Sequence, residues 1–461
     1  MNCYLFVDFG STNTKVTLVD IEREEIVATA KSYTTVETDV MEGFNHAIDE
    51  IKKQVSDFTV VKSLACSSAA GGLKIVAIGL VPELTSEAAK RAALGAGAKV
   101  IHTYSHRLNN DEAAAIVNSA ADIILLAGGT DGGDSLCITH NAEQLKKHGV
   151  KVPVVVAGNK SAADTIKEIF ADGVEYYIVE NVMPKINKLN VENARETIRS
   201  IFMKNIIKAR GMQHVQNQID GLIMPTPAAV LKAAEVLSKG TDNEDGLGEL
   251  AIIDIGGATT DIHSAAYGDP ASTGVFVSGL EEPYLKRTVE GDLGMRYSIQ
   301  AAVDAAGMRM LRRYLPNWQS YDIEAEVEKR AKDTSFISQT EKDLQFDATI
   351  AKLCADISMT RHAGSLKQVY SGCDGTMWQQ EGKDLSAIPY FIGTGGILVF
   401  NKNYAEIMRA ALAREDEPLV LKPVKPKLLL DQRYILAAMG LLATENADMA
   451  IRMMKKYLKS E

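Results

Sequence analysis

Cysteine is scarce in this 461-residue chain: five residues, Cys3, Cys66, Cys137, Cys354 and Cys373, with no C-x-x-C pair and one left over from any pairing. That pattern argues against a disulfide frame or a cysteine zinc site and suits reduced thiols in a cytoplasm. Basic residues are outnumbered, 50 Lys and Arg against 60 Asp and Glu. Without a clustered basic face, electrostatic binding of nucleic acid is not expected. No apolar run reaches the roughly 18 residues needed to span a bilayer, so no membrane association is expected. The opening MNCYLFVDFG passes straight into a strand-like run, with none of the regions of a secretory leader. Standard catalytic signatures are missing too: there is no G-x-x-x-x-G-K-[ST], H-E-x-x-H or G-x-S-x-G, and GAGAK at 95–99 wants the third glycine of a dinucleotide fingerprint. The eight histidines show no ligand spacing.

What remains is an ordinary globular composition, 46% hydrophobic and 24% charged, in a chain long enough for two or more cores. Short apolar β-branched runs alternate with helix-period segments, the pattern of α/β units. Strands are expected at YLFVDF, KVTLVD, KIVAIGL, DIILLAG, VPVVVAG, EYYIVE, GLIMPT, LAIIDIG and YFIGTG. The polar, glycine-containing KGTDNEDGLGE predicts a linker at 239–249, between a first lobe at 1–238 and a second at 250–430. Three prolines in 415–427 set off a C-terminal helix, 431–461, expected to cross back to the first lobe. Residues 115–200 read as an inserted parallel α/β unit, in which LLAGGTDGGDS places Asp131 and Asp134 after a strand. These aspartates mark either a ligand pocket at the strand ends or a turn with helix caps.

One phrase occurs twice. VDFGSTNTK at 7–15 and IDIGGATTD at 253–261 are each an apolar strand ending in Asp, then a glycine turn, then hydroxyls. Small residues let backbone N–H groups approach an oxyanion, and the Asp can hold a hydrated Mg²⁺. A third element, FIGTGGILV at 391–399, puts Gly393, Thr394, Gly395 and Gly396 after a strand, where bare backbone lets a flat base or ribose pack close.

In order and spacing these three elements resemble the loops of the actin, heat-shock chaperone and sugar-kinase ATPase superfamily. The resemblance implies two ribonuclease-H-like lobes with ATP and Mg²⁺ in the cleft. It assigns Asp8 and Asp254 to the metal's water shell. Gly10, Ser11, Thr12, Lys15, Gly256, Gly257 and Thr259 fall to the phosphates, and residues 393–396 to the adenosine. MPTPAAVLKAAEVL at 224–237 resembles a connecting helix of chaperone members, with Met224 where they carry a catalytic glutamate. A methionine cannot deprotonate water, so Asp254 or Asp261 is the candidate catalytic carboxylate.

SSAAGGLKIVAIGLVPELTSEAAKRAALGAGAKV at 67–100, LLAGGTDGGD and VEGDLGMR at 289–296 are more specific. With the three loops they resemble the MutL-type accessory family of adenosylcobalamin-dependent glutamate mutase, which is unrelated to the mismatch-repair protein of that name. This implies an ATP-driven, chaperone-like factor that reactivates a mutase by letting damaged cobalamin leave. A small-molecule kinase and a polymerising actin-like scaffold are the alternatives that the shared loops leave open.

Overall fold

The computed structural model describes residues 1–10, 13–33, 40–68, 73–207, 219–371 and 375–461. They form two compact units, Met1–Ala229 with Gly279–Glu281, and Val230–Ser278 with Glu282–Glu461.

The first unit opens with β1 (Asn2–Phe9), β2 (Asn13–Asp20), β3 (Glu25–Tyr33) and β4 (Thr59–Ser67). An inserted sheet follows, made of β5 (Lys74–Gly79), β6 (Lys99–Ser105), β7 (Ile123–Leu126), β8 (Val154–Val156) and β9 (Tyr176–Ile178). The chain then returns as β10 (Gly221–Pro225) to complete the first sheet, in the order β10-β4-β1-β2-β3. β1 is parallel to β4, which is parallel to β10; β2 is antiparallel to both β1 and β3. This is the ribonuclease-H-like arrangement. The apolar run of β1 follows from its central place, because a strand covered on both faces needs no polar alternation.

The insertion is larger than 115–200. Its parallel strands run in the order β6-β5-β7-β8-β9 from Lys74 onwards, and the helix Glu192–Ile207 packs Ala194, Ile198, Ile201 and Phe202 into its core. KIVAIGL is an interior strand of this doubly wound sheet, between β6 and β7, and local sequence does not say to which sheet a buried strand belongs.

The second unit repeats the first arrangement with β11 (Leu250–Ile255), β12 (Thr260–Ala265), β14 (Leu285–Glu290), β17 (Tyr390–Thr394) and β18 (Lys427–Asp431). A last strand, β19 (Leu458–Ser460), extends the order to β14-β12-β11-β17-β18-β19. A separate small sheet joins β13 (Val275–Ser278), β15 (Ser365–Ser371) and β16 (Gly375–Glu381). The main core lies between the large sheet and the helices Ile299–Tyr314 and Glu341–His362.

Two expected boundaries fall differently. The division between units lies inside the helix Thr226–Lys239 rather than at 239–249. Residues 240–245 form a tight turn stapled to the C-terminal helix: Asn243 Nδ2 donates to Asp448 at 2.8 Å and Arg452 to Glu244 at 2.8 Å, with Thr241 also on Asp448. Glycine and small polar residues suit a stapled turn as well as a linker. The segment 431–461 clusters with the second unit, as two helices, Leu436–Leu442 and Ala447–Tyr457, followed by β19. Asn446 restarts the helix by accepting from the Met449 N–H, the side-chain cap that asparagine supplies readily.

Candidate functional site

In the first unit the antiparallel register sets Asp8 opposite Lys15, and the ammonium donates to Asp8 Oδ2 at 3.1 Å. β4 brings Cys66 level with Asp8, and β10 brings Met224 level with Cys66. Thr226, the first residue of the following helix, donates its hydroxyl to Asp8 Oδ1 at 2.6 Å, and Cys66 Sγ lies 3.6 Å from the same oxygen. Burial, and then the adjacent Asp8 carboxylate, push the Cys66 thiol well above its usual range. It stays a neutral donor. Gly10 is required by the turn, since a Cβ there would stand 2.6 Å from the Asn13 carbonyl oxygen. Ser11 and Thr12 lie outside the described residues.

In the second unit Asp254 faces Asp261 on β12 and Thr394 on β17, so three polar side chains line up across the end of β11. Arg287, reached through β14, holds Asp261: its Nε and Nη2 both approach Oδ1, at 2.8 and 2.6 Å, while Thr259 donates to Oδ2 at 3.1 Å. To act as a general base, Asp261 would have to take a proton in competition with a buried guanidinium. That geometry favours a fixed ion pair over proton transfer.

The glycine turn is braced from outside. Gly256 O accepts from Met295 N, and Gly257 O from Arg296 N and Tyr297 N, at 2.8–3.0 Å; Ser298 Oγ donates to Ala258 O at 2.8 Å. Gly294 lets the brace close, for a Cβ on it would stand 2.6 Å from the Ala258 backbone. This is what VEGDLGMR does in the structure. Because N–H and C=O point in opposite directions across a trans peptide, the amides of Gly257, Ala258 and Thr259 face away from the brace. Successive amides turned the same way suit an anion.

β17 delivers the third loop. Gly395 has φ +99°, and a Cβ there would lie 2.5 Å from Ile255 O and 2.9 Å from Asp254 Oδ1, so only glycine seats this loop on the end of β11. Gly393 packs inward against Met408. Gly396 has open space above it, with the exposed ring of Phe400 one helical turn on. Thr394 donates to Asp431 at 3.0 Å, and Asp431 accepts from Ile435 N and Leu436 N at 2.9 and 3.0 Å, tying the loop to the helix Leu436–Leu442.

The structure therefore groups Asp8 with Lys15 and Gly10, and Asp254 with Asp261, Gly256, Thr259, Thr394 and Gly395. Sequence reading missed Cys66, Thr226, Arg287 and Asp431. Asp431 had a signal, since KLLLD is another apolar strand ending in Asp. Among the described residues no group of three or more His, Cys, Asp or Glu side chains is placed to hold a metal ion by itself. One or two carboxylates completed by phosphate oxygens and water is, however, how Mg²⁺ is commonly held. The donor set fits a hydrated ion that arrives with a nucleotide.

In the inserted unit Asp131 accepts from Lys160 N and Asn181 Nδ2 at 3.1 and 3.0 Å, and Asp134 accepts from Cys137 N at 3.0 Å, at the start of the helix Leu136–Lys147. Both aspartates fasten a loop. Cys3, Cys66, Cys137 and Cys354 are buried free thiols, and Cys373 lies outside the described residues. No helix among the described residues is long and apolar enough to cross a membrane.

The family model for the MutL protein matches residues 4–458. This chain belongs to the MutL family. It is 54% identical over 461 residues to protein MutL of Clostridium tetanomorphum, covering 99% of each chain. The family is the accessory family to which the motifs at 67–100 and 289–296 pointed. Among solved structures this chain is similar to a glycerol dehydratase reactivase, at 9% identity over 96% of this chain and 100% of that one, with a TM-score of 0.35. It is also similar to the xylulose kinase of Lactobacillus acidophilus, at 11% identity over 100% of this chain and 93% of that one, with a TM-score of 0.36. At such distances the strand order, and not the likeness, carries the fold.

Proposed function

We propose that this MutL-family protein binds Mg·ATP and uses it to reactivate an adenosylcobalamin-dependent mutase, glutamate mutase in the first place, by promoting exchange of damaged cobalamin. The observation that carries the reading is the recurrence of one device, a strand-end aspartate before a glycine turn, at the same place in two equivalent sheets. In this reading Asp8 and Asp254 hold Mg²⁺ through its waters, with the nucleotide completing its shell, and the ion offsets phosphate charge. Lys15, Gly10, Ser11 and Thr12 serve the phosphates, as do Gly256, Gly257 and Thr259. Gly393, Thr394, Gly395 and Gly396 seat the adenosine, with Phe400 beside the open face of Gly396.

If hydrolysis follows, water attacks the γ-phosphorus, the bond to the bridging oxygen breaks and ADP leaves. The water's proton passes to a carboxylate. Asp254 is the residue we assign to this step, because Met224 has no basic group and Asp261 is engaged by Arg287. Slow turnover follows from the missing dedicated base. Reactivation needs only that the ATP and ADP states differ in affinity for the mutase, since a nucleotide shifts an equilibrium by its differential binding.

The test is to inactivate glutamate mutase by turnover, then add this protein with Mg·ATP and fresh adenosylcobalamin. Recovery that requires all three is expected. Recovery of a different mutase alone would move the partner. Phosphate transfer to an added metabolite without any mutase would favour the kinase reading, and nucleotide-dependent light scattering the scaffold.

A further inference from the structure

Asp8 lies at the end of β1, yet its 2.6 Å partner Thr226 is 218 residues away in the chain and opens a helix. That helix runs from Thr226 to Lys239. It is closely packed. Ala228, Ala229, Val230, Leu231, Ala233, Ala234, Val236 and Leu237 are all buried. At its entry Gly97, with φ +94°, leaves room for Pro225, since a Cβ on it would stand 2.8 Å from Pro225 Cβ. A helix start so confined passes on a displacement instead of absorbing it, because close-packed interiors yield little.

Asp8 has two oxygens and contrasting partners. Lys15 holds Oδ2 with a long, part-exposed side chain, whereas Oδ1 meets the Thr226 hydroxyl and the Cys66 thiol. A polyphosphate with its cation competes for Lys15 and for Asp8 at once. The charge that Asp8 offers to Thr226 then depends on what occupies the site. Resting on the nucleotide reading above, we propose that Thr226 is a positioning residue that couples occupancy at Asp8 to the helix it opens, Thr226–Lys239. The hydroxyl is the link, so nucleotide-dependent behaviour of the helix depends on it, whereas nucleotide binding as such depends on the rest of the site.

The experiment uses the full chain, as wild type, Thr226→Val and Thr226→Ser. Mg·ATP and Mg·ADP affinities are measured by calorimetry. Hydrogen–deuterium exchange of peptides covering 226–239 is then followed without nucleotide and at saturation with each. Wild type and Thr226→Ser are expected to show nucleotide-dependent exchange in the helix. Thr226→Val should still bind both nucleotides, within about tenfold of wild type, the most that one hydrogen bond to a charged group would cost if it were lost indirectly, and lose that dependence even at saturation. The proposal is overturned if saturated Thr226→Val keeps the wild-type difference, or if Thr226→Ser loses it as well. Absence of Mg·ATP binding in the wild type would instead sink the nucleotide reading on which the proposal stands.

Discussion

The two glycine turns share a phrase and differ in electrostatics. Across the first hairpin Asp8 meets a cation, Lys15; across the second Asp254 meets another carboxylate, Asp261, and the cation stands one strand further out, as Arg287. The exposure of the two cations differs as well. The Lys15 side chain is 24% exposed on a flexible stem, and that of Arg287 is 3% exposed with its nitrogens on one carboxylate oxygen. A part-exposed ammonium can leave its carboxylate for a ligand at modest cost, but a buried guanidinium cannot. Repetition of a motif has thus preserved the strand, the carboxylate and the turn while dividing the electrostatics: one hairpin carries a part-exposed cation and the other is held by a buried one.

The sharpest way to break this contrast is to remove each cation. Arg287→Met leaves Asp261 buried without its partner and should cost about 3–5 kcal/mol in urea unfolding. Lys15→Met should cost under about 1 kcal/mol while weakening Mg·ATP, and equal losses of stability in the two variants would refute the division. Next come the carboxylates. Asp8→Asn and Asp254→Asn should each lower Mg·ATP affinity by about 100-fold, the upper range for lost metal-site groups. An effect confined to one of them in calorimetry would mean that the turns do not serve one nucleotide.

A smaller loss is expected at the third loop. Gly395→Ala places a side chain at positive φ and against Ile255, costing about 1–3 kcal/mol, whereas Gly396→Ala points into open space and should leave the unfolding midpoint unchanged. A last prediction concerns the pH response. Burial drives the His263 imidazole down to about 3, with neighbouring Arg287 adding to the fall and Asp261 opposing it. Its unfolded form takes a proton near pH 6.5 and its folded form does not. Stability is therefore full above about pH 6.5 and falls as the pH drops towards 3, by up to ~1.4 kcal/mol per unit for this one group. His362, also buried, adds a loss of the same sign. Denaturation between pH 7.5 and 5.5 should show the fall, and His263→Leu should reduce it. An unaltered slope in that variant would assign the pH response elsewhere.

Both turns, the third glycine loop and the alternation of strands and helices were legible because each is a local pattern: an apolar run, then a carboxylate or a glycine within about ten residues. The partners of those carboxylates were not legible. Cys66, Thr226 and Arg287 reach the aspartates through sheet register, which no local window contains. The helix Glu341–His362 escaped for another reason. Buried around most of its circumference, from Phe346 and Asp347 to Asp356 and His362, it offers no single apolar stripe. Residues 239–249 misled because composition distinguishes turn from helix but not a free connection from a stapled one.

β10 pairs with β4 only after the whole inserted sheet, and the hydrogen bonds from Ser63 to Asp220 that accompany this pairing close 157 residues of chain. On the ribosome the insertion has every strand it needs by Ile178 and its last core helix by Ile207, while the first sheet still lacks its edge. Domains fold as units as they emerge, and distant pairings come slowly. Asp8 therefore waits for Thr226 until the insertion is already made, and its cluster is among the last features of the first unit to be completed during synthesis.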